Sequence, residues 1–196
     1  KSLSFAGRFR FWCLYWAYRL TGWHIRHKEW DFVLEYLPQL MKDQSVSILD
    51  VGCSRTLFAH ELVARGYNTF GIDLEDYQEK WPGTGFTIGD IRILTNSSGH
   101  YDFVTCISVL EHIEKKQDKA LLNMVNSLKI GGRLLLTIPT MEFAQGHPWE
   151  GFSCTNLGAL LPKNCVILEY TERAGQICLC IARIACIVSG KRWRHI

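Results

Sequence analysis

The segment Asp50-Val51-Gly52-Cys53-Ser54-Arg55-Thr56 has the makings of a ligand loop. Its glycine lets the backbone come close to a bound group, and the start of a following helix offers free N–H donors. Asp73 follows about 20 residues downstream, where a carboxylate is suited to accept both hydroxyls of a ribose. Asp90, in Gly89-Asp90-Ile91, can accept from an adenine amino group. Ile107-Ser108-Val109-Leu110-Glu111-His112 ends in a histidine, and His147 stands in Gly146-His147-Pro148-Trp149. An imidazole near its ordinary pKa can take a proton from a hydroxyl at neutral pH. Plainer roles compete with each: His112 can cap a helix or bond a carbonyl, turn chemistry explains His147, and Glu111 can pair with a helix end. Trp149 and Phe152 suit stacking on a substrate ring or simply covering surface.

Positioning these groups requires strands that end where they stand. Short β-rich runs alternate with helical patterns from Ser45 onward: strand Ser45 to Asp50, helix Leu57 to Arg65 closed by Gly66, strand Thr69 to Asp73. Further strands are expected at Gly85 to Ile88, Tyr101 to Ile107 and, after the turn Gly131-Gly132, Arg133 to Ile138 ended by Pro139. Between the last two, Asp118 to Leu128 reads as a helix with Leu121, Leu122, Val125 and Leu128 inward. Such alternation predicts an α/β fold with a mostly parallel sheet, right-handed crossovers and helices on both faces. In such sheets ligands bind beyond the carboxyl ends of the strands, which is where the residues above fall. Asn164 to Tyr170 and Ile177 to Val188 are joined by too few residues for a crossover helix, so they should close the sheet as an antiparallel hairpin.

Ahead of the first strand, Phe5, Phe9, Trp12, Trp16 and Leu20 recur at helical spacing. A second pattern, Trp30, Val33, Leu34 and Leu37, should stop at Pro38. Residues 1–44 are therefore expected as helices that lid the cleft or pack against the sheet edge, and 45–196 as the core, in one domain.

Of 196 residues, 47% are apolar and 21% charged, which allows a real core and excludes a disordered chain. No apolar run reaches the roughly 18 to 20 residues of a membrane span, since Ile177 to Val188 is short and holds Arg183. Neither an export signal nor a tag can be read, and free thiols suit a reducing compartment, so a cytoplasmic protein is expected. The cysteines at 13, 53, 106, 154, 165, 178, 180 and 186 form no Cys-x-x-Cys pair, so buried thiols are expected and no metal. Lys1, Arg8, Arg10, Arg19, Arg26 and Lys28 come with no carboxylate in the first 28 residues, and Lys191, Arg192 and Arg194 lie in the tail. Basic ends can meet a membrane surface or an anionic partner, although solvated helix faces account for most such clusters. Basic residues do not gather around the expected cleft, which argues against nucleic acid.

In order, "ILDVGCS", "GYNTFGIDL", "GDIRIL", "YDFVTCISVLEHI" and "LKIGGRLLLTIP" resemble the type 11 group of class I S-adenosylmethionine-dependent methyltransferases. The similarity runs from about Trp30 to Pro139, and more loosely extends to members found among genes for cell-surface polysaccharides. It implies a Rossmann-like three-layer α/β/α sandwich with a seven-stranded sheet. The cofactor implied is S-adenosyl-L-methionine, with methyl transfer by in-line displacement to a small-molecule acceptor, a sugar or another hydroxyl or amine. By resemblance, Asp50, Gly52, Cys53 and Ser54 belong to the loop at the methionine end, and Asp73 with Leu74 to the ribose. Asp90 and Ile91 flank the adenine, and Ile107 with Ser108 face the sulfonium. The chain departs from the family's Asp-x-Gly-x-Gly-x-Gly loop, with Ser54 and Thr56 at the second and third glycines. Two rival readings follow. One is a non-catalytic module that keeps the fold for protein or membrane contact. The other, a nicotinamide-dependent oxidoreductase, lacks its Gly-x-Gly-x-x-Gly.

Overall fold

A computed structural model of the chain describes residues 24–38, 45–54, 57–94, 99–146, 151–173 and 175–183. The expected helix at Phe5 to Leu20, His147, Trp149, Thr56 and the basic tail lie outside these residues.

Seven strands form one sheet: β1 (Ser47–Val51), β2 (Asn68–Asp73), β3 (Gly85–Ile88), β4 (Tyr101–Ile107), β5 (Leu128–Pro139), β6 (Cys165–Arg173) and β7 (Gln176–Arg183). Their order is β3-β2-β1-β4-β5-β7-β6. The first five are parallel, and β7 runs antiparallel between β5 and β6. The mostly parallel sheet closed by a hairpin is therefore present. Order reverses between β1 and β4, which opens a crevice at their carboxyl ends.

Helices cover both faces. On one, α1 (His24–Tyr36) and α2 (Leu57–Ala64) bury Trp30, Phe32, Val33, Phe58 and Leu62 against Ile48, Phe103, Leu135, Cys178 and Cys180. On the other, α3 (Gln117–Ser127) and α5 (Cys154–Leu160) set Leu121, Met124, Val125 and Leu157 against Leu49, Val51, Val104, Leu134, Leu136 and Leu179. A two-residue alternation along each strand sorts these side chains between the layers. A short turn of helix, α4 (Met141–Ala144), follows β5. Helix α1 lies on the face of the sheet, where the Trp30 and Phe58 rings sit 5.5 Å apart.

Several boundaries differ from the sequence reading. The α3 helix stops at Ser127, and Leu128 already pairs with Tyr101, so β5 begins before Gly131-Gly132. Those glycines form an irregularity inside the strand: Gly131 has φ +81°, and a Cβ on Gly132 would stand 3.0 Å from the carbonyl oxygens of Asp102 and Lys129. The hairpin turn is also tighter than Thr171 to Gln176, because β6 reaches Arg173 and Gly175 turns at φ +78°. Finally β1 starts at Ser47, whose hydroxyl and N–H both donate to Asp102 Oδ2.

Cys53, Cys106, Cys165, Cys178 and Cys180 are free thiols. Among the described residues no cluster of three or more His, Cys, Asp or Glu is gathered as for a metal, and no helix is long and apolar enough to cross a membrane.

Candidate functional site

A cavity of about 450 Å³ opens at the carboxyl ends of β1, β2, β3 and β4. That is the size range of small-molecule and cofactor sites. Its wall brings together Gly52, Ser54, Asp73, Leu74, Asp90, Ile91, Ile107, Ser108 and His112, all singled out by sequence. Asp50 and Cys53 do not line it. Both are buried; Asp50 stands level with Gly71 and Thr105, is covered by its neighbouring strands, and accepts through Oδ1 from Thr105 Oγ1 at 2.7 Å.

The loop after β1 bends sharply over the end of β2. Gly52 has φ +66° and its N–H donates to Ile72 O at 2.9 Å. A Cβ there would come within 2.4 Å of Val109 Cγ2, so glycine is required for space as well as for conformation. Ser54 takes φ +46°, the left-handed backbone that the family's second glycine would adopt freely. Its N–H donates to Asp73 Oδ2 at 2.8 Å, which ties the loop to β2. Asp73 Oδ1 accepts from Glu75 N at 3.1 Å. Each oxygen keeps acceptor capacity, since a carboxylate has about four lone-pair directions.

Electrostatics separate the carboxylates. Burial raises the Asp50 carboxyl to about 7, opposed by the Thr105 hydrogen bond and reinforced by the nearby Asp73 charge. Asp90 is held below its ordinary value by hydrogen bonds from Arg92, whose Nη2 lies 2.7 Å from Oδ2 and whose N–H lies 2.8 Å from Oδ1. Arg92 was missed by the sequence reading, although its place two residues after Asp90 is that of a turn partner. Glu114 also borders the cavity, and apolar cover comes from Ile72, Leu74, Ile91, Val109 and Ile113.

Behind Ser108 lies a group with no sequence signature. Ser108 has φ +49° and donates its N–H to Thr137 O at 3.0 Å and to Thr137 Oγ1 at 3.2 Å. The Ser108 and Thr137 hydroxyls both donate to Glu29 Oε1, at 2.5 and 2.7 Å. Glu29 belongs to α1 and is 1% exposed. Gln176, 3% exposed, enters β7 opposite Pro139.

Residues 22–173 match the family model described as a methyltransferase domain. The ubiquinone biosynthesis O-methyltransferase of Coxiella burnetii is 26% identical over 144 residues, covering 66% of this chain and 58% of that protein. Its counterpart in Rickettsia canadensis is 32% identical over 124 residues, covering 58% of this chain and 52% of that protein. The chain thus spans little more than half the length of these relatives. Among solved structures, N-methyltransferase NodS from Bradyrhizobium japonicum WM9, in complex with S-adenosyl-L-homocysteine, superposes with a TM-score of 0.64 at 16% identity, over 82% of this chain and 87% of that one. An S-adenosylmethionine-dependent methyltransferase from Clostridium acetobutylicum reaches 0.66 at 13% identity, over 90% and 99%. At such identities these two structures share the fold.

Proposed function

We propose, for a chain that belongs to the methyltransferase domain family and whose cofactor is S-adenosyl-L-methionine, that the cavity at the β1–β4 strand ends holds this cofactor and that the methyl group passes to a hydroxyl of a small molecule. The observation that carries the reading is the convergence of Asp73, Asp90, Gly52 and Ser108 from four separate strand ends on one cavity.

The residues fit the cofactor's chemistry. The part-exposed Asp73 carboxylate suits two vicinal hydroxyls of the ribose. Leu74 and Ile91 offer apolar faces to a flat ring, and Asp90, fixed by Arg92, offers an acceptor to its amino group. Among the described residues, Asp73, Asp90 and Glu114 outnumber Arg92 on the cavity wall and so favour a positively charged ligand. Asp50 does not border the cavity and holds Thr105 instead.

When bound, the cofactor supplies a methyl group on positive sulfur, already activated for displacement. The chain's part is then to align the acceptor and exclude water, and orientation alone can lower a barrier by roughly 7 to 11 kcal/mol. Ile107, Ser108 and His112 border the same cavity, and the reading seats the reacting end beside them. Residues 1–44 and 45–196 are read as one domain, because α1 covers the sheet and supplies Glu29 to the site. Oxygen is favoured as the accepting atom because the two relatives matched by sequence above are O-methyltransferases.

Incubation with methyl-labelled S-adenosyl-L-methionine and a panel of phenols, alcohols and amines tests this. Label is expected in a hydroxyl compound together with S-adenosyl-L-homocysteine. Transfer to amines alone overturns the choice of oxygen, and absence of transfer by a protein that binds the cofactor favours a non-catalytic module.

A further inference from the structure

The reaction proposed above leaves a proton on the acceptor, and its destination is open. Two sets of groups stand at the reacting end: His112 on the cavity wall, and the cluster of Ser108, Thr137 and Glu29. Three features of the second set are unusual together. A carboxylate is 1% exposed on a helix that otherwise buries aromatic and aliphatic side chains. It receives two hydroxyl donors on one oxygen. One of those donors, Ser108, borders the cavity and is held in a left-handed backbone that a serine rarely adopts. Strain of that kind persists where surrounding contacts over-determine it, and here three hydrogen bonds do so. For a merely structural purpose, a buried carboxylate is a costly way to join a helix to a sheet, because desolvation opposes it.

We propose that Glu29 takes up the acceptor's proton through Ser108. An acceptor hydroxyl seated against Ser108 gives its proton to Ser108 Oγ as the Ser108 proton passes to Glu29 Oε1. The electron pair left on the acceptor oxygen forms the new bond to the methyl carbon, and the carbon–sulfur pair leaves with sulfur. Glu29 ends as the neutral acid and returns its proton to solvent by the same path once product has left. Thr137 keeps its bond to Glu29 throughout, so the carboxyl stays in place. Ser108 touches the acceptor, while Glu29 acts through it and is a positioning residue as well as the final holder of the proton. The inference rests on the methyl-transfer reading, and it deepens that reading by requiring a hydroxyl acceptor.

The test compares the wild type with Glu29→Gln, Ser108→Ala and His112→Asn in three measurements. In calorimetry with S-adenosyl-L-homocysteine, Glu29→Gln should bind within about threefold of wild type, since Glu29 does not line the cavity; a wild type that does not bind overturns the methyl-transfer reading itself. With catechol as the hydroxyl probe, kcat should fall about 100-fold or more in Glu29→Gln and in Ser108→Ala with little change in KM, the scale of a lost general base. Unchanged kcat in those two variants, or a comparable loss in His112→Asn alone, overturns the inference. The third measurement needs no acceptor: infrared spectra at pH 7 with S-adenosyl-L-homocysteine bound. Wild type minus Glu29→Gln should show no protonated-carboxyl band, because a proton acceptor must be ionised beforehand. A protonated band that vanishes in Glu29→Gln contradicts the inference, whether or not catechol is turned over.

Discussion

The cavity wall takes its chemistry from strand ends, each a loop of a few consecutive residues, whereas the cluster behind it draws Glu29 from α1, Ser108 from the end of β4 and Thr137 from within β5. On the wall, local backbone decides what each residue can do: Gly52 and Ser54 turn left-handed, and Asp73 catches the N–H of Ser54. Within the cluster, long-range packing decides which groups meet. Glu29 matters only because the sheet's face brings α1 across the ends of β4 and β5. The wall should therefore tolerate changes to distant packing but not to its own backbone, and the cluster the reverse.

The sharpest way to break this contrast is Gly52→Ala. The left-handed backbone costs about 1 to 2 kcal/mol for a residue with a Cβ, and the collision with Val109 Cγ2 adds about 1 to 3 kcal/mol of overpacking. A loss of about 2 to 5 kcal/mol in denaturant unfolding is expected, together with impaired S-adenosyl-L-homocysteine binding. Adding Val109→Ala should restore the packing share and leave the backbone share. Full restoration would mean that conformation is not what glycine provides there.

A smaller effect sharpens the role of Asp50. Its folded carboxyl titrates at about 7, above the ordinary carboxylate value, so the native state holds a proton that the unfolded chain has already released. Stability from this group is present at acid pH and is lost as pH rises from about 4 to about 7. The span corresponds to about 4 kcal/mol as an upper figure. Asp50→Asn should flatten that part of the stability curve in thermal melts taken across the range. An unaltered slope would show that Asp50 is ionised in the folded protein.

The wall was legible because its residues sit in order along the chain, each just after a β-rich run, and because sheets of this kind place ligands at those ends. What the sequence could not show was how far along the neighbouring strands each carboxylate stands. Asp50 and Asp73 look alike in sequence, yet Asp50, level with Gly71 and Thr105, is covered by its neighbouring strands and bonds Thr105, whereas Asp73 stands two residues further along and reaches the wall. Glu29 was illegible for another reason. It lies in the charged stretch His27-Lys28-Glu29-Trp30-Asp31, where an exposed face is the natural expectation. Only the packing of α1 through Trp30 and Val33 turns it inward. The substitution of Ser54 for glycine also changed meaning, since the backbone keeps the glycine-like turn and the Asp73 carboxylate holds it.

Calorimetric titration of S-adenosyl-L-homocysteine into the wild type and Asp73→Ala bears most directly on the assignment of the cavity. Saturable binding by the wild type is expected. The variant should bind at least about 100-fold more weakly, because two hydrogen bonds to a charged group, each about 1.5 to 3 kcal/mol, are removed. No binding by the wild type at millimolar ligand, or equal affinity in the variant, would contradict the placement of the cofactor at the β1–β4 strand ends.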